Sequence, residues 1–400
     1  MLTVALRPGE DRRLQAGHLW VFSNELQQHP RGAQAGDLIA VRRAGGAVFG
    51  IGFYHPRSLI SVRILDKLDR LPGDEEAWFE QLLRARLAAA AAARPGAPAA
   101  GGVRMVYGES DRLPGLVVDR YGRVLVLQML SAGMDRRREM IVRVLMDLWS
   151  PDAIYERDDA ALRRLEDLPE RTGLLAGALP EGADTAGVAF EEDGLRLRAD
   201  VVRGQKTGWY LDQRSNRRRV ASRCAGETVL DLFCHTGGFA VAAARAGATR
   251  VMGVDSSAEA LVLARAHAEM NGVAGLCTFM PADGFQYLES AARDGERFGV
   301  VIVDPPSFAR SRAVLPTALK GYRRLNRLAM GVVKPGGILA TASCSGHVTR
   351  EMFLAELSAA ADRAGRVLRV LEVAGQADDH PIHPAMPETE YLKFVVCRVE

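Results

Sequence analysis

The sequence predicts an α/β protein whose largest part is a doubly wound, mostly parallel sheet, preceded by a small β-barrel and a small central α+β domain. Three observations carry this expectation. From about Gly204 onward, strand-length apolar runs alternate with helix-length periodic segments. Within that region Thr228-Val-Leu-Asp-Leu232 leads through the pair Gly237-Gly238 into a segment of helical composition, a strand, glycine turn and helix in succession. The first 70 residues are instead short apolar runs separated by glycine turns. With 400 residues and 48% hydrophobic content, the chain exceeds one ordinary core and can fill two or three.

Residues 1–70 contain the strand-like runs Leu2–Leu6, Gly17–Phe22, Gly36–Val41, Gly45–Tyr54 and Leu59–Leu65. They carry ten Lys/Arg against six Asp/Glu, an excess of four, whereas the whole chain is only +3. The basic surplus therefore sits here. Arg12, Arg13, His18, Trp20 and Phe22 lie close together in sequence. Such a group suits RNA contact by phosphate pairing and base stacking. It equally suits a core tryptophan and phenylalanine with solvated arginines.

A helix rich in Ala, Leu and Arg is expected over 73–94, broken by Pro95-Gly-Ala-Pro-Ala-Ala-Gly-Gly102. Strands are expected over 103–107, 115–121 and 124–130, then a helix from about Met134 to Trp149. Two more strands near 153–157 and 194–202 flank an irregular polar segment. This central domain, placed at 73–203, shows no catalytic constellation. The domain from 204 to 400 alternates helix and strand, and ligands bind such sheets at the carboxyl ends of the strands.

Composition excludes several classes. The five cysteines, Cys224, Cys234, Cys277, Cys344 and Cys397, form no CxxC pair and have no histidine at zinc-finger spacing, so neither a disulfide framework nor a metal site is expected. No signal-like segment and no run of 18 apolar residues occurs, so a cytoplasmic protein without a membrane span is expected. The GxGxxG spacing of a dinucleotide pyrophosphate site is absent, which argues against a nicotinamide-dependent oxidoreductase.

Four acids fall at or beside successive strand ends: Asp231, Asp255, Asp283 and Asp304, the last in Asp304-Pro-Pro-Ser-Phe308. They are spaced by about one strand–helix unit and so converge on one edge of the sheet, next to the glycine turn. A single acid after a strand is commonly a helix cap. Four in register point to a ligand. Cys344, in Ser343-Cys-Ser345, follows a strand on the same edge, in a polar setting where a thiolate can be stabilised.

This layout resembles the class I S-adenosylmethionine-dependent methyltransferases, with their Rossmann-like catalytic domain, over roughly the last two hundred residues. The Arg-Arg, Gly-His-x-Trp-Val-Phe and Gly-Asp-Leu-Ile segments of the barrel resemble the PUA domain, an RNA-binding module. Across essentially the whole chain, Gln205-Lys-Thr-Gly-Trp-Tyr-Leu-Asp-Gln-Arg214, Asp304-Pro-Pro-Ser-Phe308, Ser343-Cys-Ser-Gly346 and Ala377-Asp-Asp-His-Pro-Ile382 resemble the RlmI-like methyltransferases of large-subunit ribosomal RNA. The resemblance implies S-adenosylmethionine as cofactor. It implies donor binding by Tyr210, Asp212, Gln213, Arg214, Asp231, Phe233, Thr236, Gly237, Gly238, Asp255, Ser256, Asp283, Gly284 and Asp304. In this reading Asp255 holds the ribose hydroxyls, Asp283 accepts from the adenine amino group, and Asp231 orients the glycine turn near the amino acid moiety. The implied partner is 23S ribosomal RNA or a large-subunit assembly intermediate, bound by a monomer or homodimer.

The expected reaction is methylation of carbon 5 of a cytidine. That carbon is a poor nucleophile until a thiolate, here Cys344, attacks carbon 6 and makes it enamine-like. The carboxyl of Asp304, protonated in an apolar pocket, can hydrogen-bond the base at N3. Many RNA cytosine-C5 methyltransferases carry a second cysteine directly after the Asp-Pro pair for enzyme release. This chain has Pro306 and Ser307 there, which leaves water, Lys206 or another polar group to remove the C5 proton. Competing readings are methylation of a guanine nitrogen, which gives Cys344 no task, and a noncatalytic RNA-binding protein that keeps the fold. His380 and His383 are expected in a turn beside the active edge.

Overall fold

The computed structural model describes residues 1–68, 71–96, 98–309 and 311–400. The expected barrel boundary at 70 and Ala97 of the predicted helix breaker lie outside the described residues. The chain divides into two compact units, one of residues 1–191, 199–211 and 378–389, the other of residues 192–198, 212–377 and 390–400.

The first unit contains two five-stranded sheets. Strands β1 (Leu2–Ala5), β2 (Trp20–Phe22), β3 (Leu38–Arg42), β4 (Val48–Tyr54) and β5 (Ile60–Lys67) pair in the order β1-β3-β4-β5-β2. Only β1 and β3 run parallel. Strands β6 (Gly102–Tyr107), β7 (Leu116–Tyr121), β8 (Val124–Met129), β9 (Ala153–Asp158) and β10 (Arg171–Gly177) pair in the order β10-β9-β8-β7-β6. The helices Glu75–Ala92 and Arg138–Trp149 bury Leu83, Leu87, Val144 and Leu145 in the same core. Asp74 caps the first of them by accepting from the Glu76 and Ala77 N–H groups. The two sheets share that core: Phe53 of β4 and Phe79 of the helix have ring centroids 5.3 Å apart.

The segment expected to be irregular between β9 and residue 194 holds a helical turn at Ala161–Glu166, β10, a short helix Ala183–Ala186 and β11 (Val188–Glu192). The departure has a physical cause. β10 is an edge strand with no fully buried residue, so its sequence lacks a hydrophobic face to announce it. β12 (Leu195–Ala199) follows.

The second unit is a seven-stranded sheet. Its strands are β13 (Thr228–Leu232), β14 (Arg250–Asp255), β15 (Cys277–Pro281), β16 (Phe298–Val303), β17 (Val333–Ser343), β18 (Leu368–Ala374) and β19 (Lys393–Val399). The order is β15-β14-β13-β16-β17-β19-β18, parallel except for β19, which is antiparallel to both neighbours. β13 and β16 are central and almost fully buried, as their continuous apolar runs require. The strand order reverses beside β13, between β14 and β16, and this switch point leaves a crevice at their carboxyl ends. The helix expected from Leu211 to Ala225 is a single turn, Leu211–Gln213, followed by the helix Arg214–Ala221.

Candidate active site

The crevice begins with the loop that leaves β13. Phe233, His235 and Gly237 all have positive φ, at 62°, 48° and 77°. For the two residues that carry a Cβ this costs on the order of 1 kcal/mol each, a strain of the kind stored at ligand-binding turns. The loop is held by a set of hydrogen bonds. His235 N–H donates to Asp255 Oδ2 at 2.8 Å, and Gly237 N–H to the Cys234 carbonyl at 2.7 Å. The ring of Phe233 lies over Gly284, where a Cβ would come within 2.8 Å of it. Gly237 is equally constrained, since a Cβ there would meet the Ala264 Cβ at 3.0 Å. Thr236 is buried, and its carbonyl accepts from His267 Nδ1 at 2.8 Å, while His267 Nε2 accepts from the Arg198 N–H at 2.9 Å. Burial pulls this histidine down to about 4, so it is neutral, with its proton on Nδ1. Sequence reasoning missed His267, because both its partners are backbone atoms distant in the chain.

Asp231 is buried within β13. Its Oδ2 accepts from the Ala240 N–H at 2.9 Å, in the first turn of the helix Gly238–Arg245, and its Oδ1 has no hydrogen-bond partner among the described residues. Burial, and then the neighbouring carboxylates of Asp304 and Asp255, raise its pKa well above the usual carboxylate range. Asp255 ends β14 and also accepts at Oδ1 from Ser257 N–H at 2.9 Å. Ser256 beside it is exposed. Asp283 caps the helix Gly284–Arg293 by accepting from Gln286 N–H at 3.0 Å, the ordinary task of an acid after a strand, and its side chain stays exposed.

The motif Gln205–Arg214 spans the boundary between the units. In the first unit Tyr210 hydrogen-bonds Gln205, and the Lys206 ammonium lies 4.4 Å from the centre of its ring. In the second, Asp212 accepts from the Tyr391 hydroxyl. Gln213 Nε2 donates to Asp304 Oδ2 at 2.9 Å and its Oε1 accepts from Asn216 Nδ2 at 2.6 Å, so the amide is oriented from behind. Arg214 opens the following helix.

Asp304 follows β16, and Cys344 follows the neighbouring strand β17. The Cys344 Sγ lies 3.9 Å from the Pro305 carbonyl oxygen, so the two expected catalytic residues share one corner. Ser345 fastens that corner. Its Oγ lies 2.9 Å from the Tyr322 hydroxyl and 3.0 Å from Ser307 Oγ, and it accepts from the Ala309 N–H at 3.1 Å. Ser307, which follows the two prolines after Asp304, is thus part of the scaffold. Cys344 is partly exposed. Burial pushes Cys224 and Cys397 up to about 12, Cys277 up to about 11, and Cys234 well above the thiol range.

On the first sheet Arg12 is exposed. Arg13 donates to Glu25 at 2.5 Å and sits 4.7 Å from the Phe22 ring centre. His18 is buried and accepts at Nδ1 from the Trp20 N–H, and the Trp20 indole N–H donates to Glu109 at 2.9 Å. Three of the four basic or aromatic residues singled out here therefore have intramolecular partners. A cleft of about 730 Å³ beside them is lined by Arg13, His18, His383 and Glu388. His380 is buried in the same unit against Tyr107, with ring centroids 5.3 Å apart, so it groups by contact with the first unit. The carboxylates of Asp135, Glu156 and Asp158 also come together, but Arg138 and Arg163 form ion pairs with them.

Residues 178–388 match the family described as S-adenosylmethionine-dependent methyltransferase, and residues 4–67 match the PUA-like domain. The chain is 40% identical over 401 residues to the ribosomal RNA large subunit methyltransferase I of Shewanella amazonensis, covering 100% of this chain and 99% of the relative. It is 39% identical over 404 residues to the protein of the same name from Photobacterium profundum, with the same coverage. Two solved structures share the fold over the full length of both chains. They are a Streptococcus mutans protein described as a SAM-dependent methyltransferase, at TM-score 0.82 and 19% identity, and SMU.776, a described methyltransferase complexed with SAH, at 0.84 and 20%.

Proposed function

Because this chain belongs to the S-adenosylmethionine-dependent ribosomal RNA large subunit methyltransferase I family, we propose that it methylates carbon 5 of a cytidine in 23S ribosomal RNA with Cys344 as nucleophile. The cofactor is S-adenosylmethionine, and the crevice fits it on its own chemistry. A buried carboxylate oxygen without a partner and mutually opposed acids at 231, 255 and 304 suit a ligand that brings positive charge and hydroxyl donors. The loop at 233–237 carries backbone strain at Phe233 and His235, of the kind found at ligand-binding turns.

In this reading Asp231, Thr236, Gly237 and Gly238 receive the amino acid part of the donor, Asp255 and Ser256 the ribose, and Phe233, Asp283 and Gly284 the adenine. Tyr210, Asp212, Gln213 and Arg214 close the site, and Gln213 also orients Asp304. When bound, the donor supplies an electrophilic methyl group on a sulfonium. The protein's own residues do the rest. Cys344 attacks carbon 6 of the cytosine, Asp304 hydrogen-bonds the base at N3, and carbon 5 becomes nucleophilic. A base, with water, Lys206 or another polar group open for the role, then takes the C5 proton; the C–H electron pair restores the C5–C6 double bond and the C6–S bond breaks, releasing the Cys344 thiolate. The PUA-like barrel adds RNA contact through Arg12 and the cleft that Arg13 and His18 line, with Trp20 at the start of β2. The division into a barrel at 1–70, a central domain at 73–203 and a catalytic domain at 204–400, and action in the cytoplasm on ribosomal RNA or an assembly intermediate, belong to the same proposal.

The observation that carries it is the corner where a partly exposed Cys344 meets the Asp304-Pro305 turn at 3.9 Å, at the carboxyl ends of two neighbouring strands of the catalytic sheet. The test is to incubate unmodified 23S ribosomal RNA with labelled donor, digest it to nucleosides, and compare wild type with Cys344→Ala. Label is expected in 5-methylcytidine, falling on the order of a thousandfold or more in the variant. Label in a methylated guanosine, or 5-methylcytidine unaffected by the substitution, would overturn the reading.

A further inference from the structure

The Cys344 corner contains a cation that this mechanism does not use. Lys393 opens β19, opposite Ser343 of β17 in the antiparallel register, and only 4% of it is exposed. Its Nζ donates to the Ser345 carbonyl at 2.6 Å and to the Tyr391 carbonyl at 2.7 Å. These bonds pin the ammonium to the backbone immediately after Cys344, and a negative charge on the cysteine sulfur favours the charged amine. Burial acts in the opposite sense and pulls the amine down to about 8, so it is still mostly protonated at neutral pH.

A buried ammonium is costly unless a counter-charge accompanies its hydrogen bonds. The two carbonyls supply hydrogen bonds without charge. Tyr322 on the helix Leu315–Val332, whose hydroxyl lies 2.9 Å from Ser345 Oγ, is held neutral by burial. Glu390 favours the ammonium but also pairs with Arg350 at 2.6 Å. Among the described residues, the anion-forming group that favours the ammonium most is Cys344, ahead of Glu390.

We propose that Lys393 is a positioning residue for the nucleophile, the cation that holds Cys344 as a thiolate and ties down the backbone that presents it. This rests on the reading of Cys344 as the nucleophile. On ionisation the thiol proton leaves to solvent water, the bonding pair stays on sulfur, and the thiolate faces the ammonium with no covalent bond between them. A neighbouring lysine ammonium lowers a thiol pKa by stabilising the charged form.

The test uses the full-length protein and the pH dependence of Cys344 alkylation by iodoacetamide, read at that site by peptide mass spectrometry. In wild type the midpoint is expected below the ordinary thiol value of about 8.5. Lys393→Met is expected to raise it by about one unit and to slow alkylation at pH 7 about tenfold, and Lys393→Arg to restore most of the rate. In methylation assays kcat falls in the Met variant while the KM for RNA stays unchanged. Donor affinity reports folding. A Met variant that binds donor normally and keeps the wild-type alkylation profile overturns the proposal. Should that variant not fold, a wild-type midpoint at or above the ordinary thiol value overturns it alone. Methylation that survives Cys344→Ala removes the nucleophile reading instead, and the alkylation profile still decides the coupling.

Discussion

His267 carries no chemistry of its own, yet it joins Arg198 to the turn that ends in Gly237, and it is fully buried. Its folded pKa lies near 4, below the usual 6.5. Between these values the unfolded chain binds the extra proton, so this residue's contribution is complete above pH 6.5 and lost as pH falls toward 4. His267→Phe should cost about 2–4 kcal/mol at pH 7, because it leaves a buried N–H and a buried carbonyl unpaired. It should also flatten the slope of stability between pH 4 and 6.5. Urea unfolding at both ends of that range checks the two expectations. The contrast with Cys344 and Asp304 explains what the sequence discloses at this scale. Those two are legible because they follow strands in polar motifs. His267 bonds a backbone carbonyl and an amide remote in the chain, and Lys393 bonds the remote Ser345 carbonyl, which no local pattern records. The one hint for Lys393 is that it is among only five lysines in a chain with 52 basic residues.

The glycine turn after β13 is an element whose form follows from its neighbours. Gly237→Ala places a Cβ at φ 77° and within 3.2 Å of the Phe279 ring, besides the Ala264 contact. It should destabilise the protein by about 1–2 kcal/mol and weaken donor binding at least about tenfold. Thermal unfolding and calorimetric titration with S-adenosylmethionine measure both, and donor affinity equal to wild type would count against the turn as the amino acid cradle. Strands β13 and β16 were legible because each is a nearly unbroken apolar run bounded by turn residues. β10 was not, since an edge strand buries too little to need a hydrophobic face.

At the scale of the molecule, three domains were expected and the contacts form two units. Periodicity reveals that Phe53 and Phe79 each face a core, but it is silent on their facing the same one. The return of residues 378–389 to the first unit is also unannounced. That segment supplies the buried Met386 to the core of the first sheet. Asp379 accepts from the Arg104 N–H at 3.0 Å and, through its carbonyl, from Arg94 at 3.1 Å. A fragment of residues 1–211 should therefore unfold at a lower temperature than the same fragment with 378–389 rejoined by a flexible linker. Losing the Met386 side chain alone is worth about 2–5 kcal/mol. Equal midpoints in calorimetry would show that the segment adds nothing.

The discontinuity of the first unit also sets an order in time. Between the emergence of residue 211 and that of residue 389 the growing chain adds 178 residues. At roughly 5–20 residues per second this takes about 10–35 s. For that interval the slot for Met386 stands open and the Arg104 amide lacks its acceptor. The most N-terminal unit is thus completed only after most of the second has emerged, and the nascent chain carries an apolar vacancy through those 178 residues.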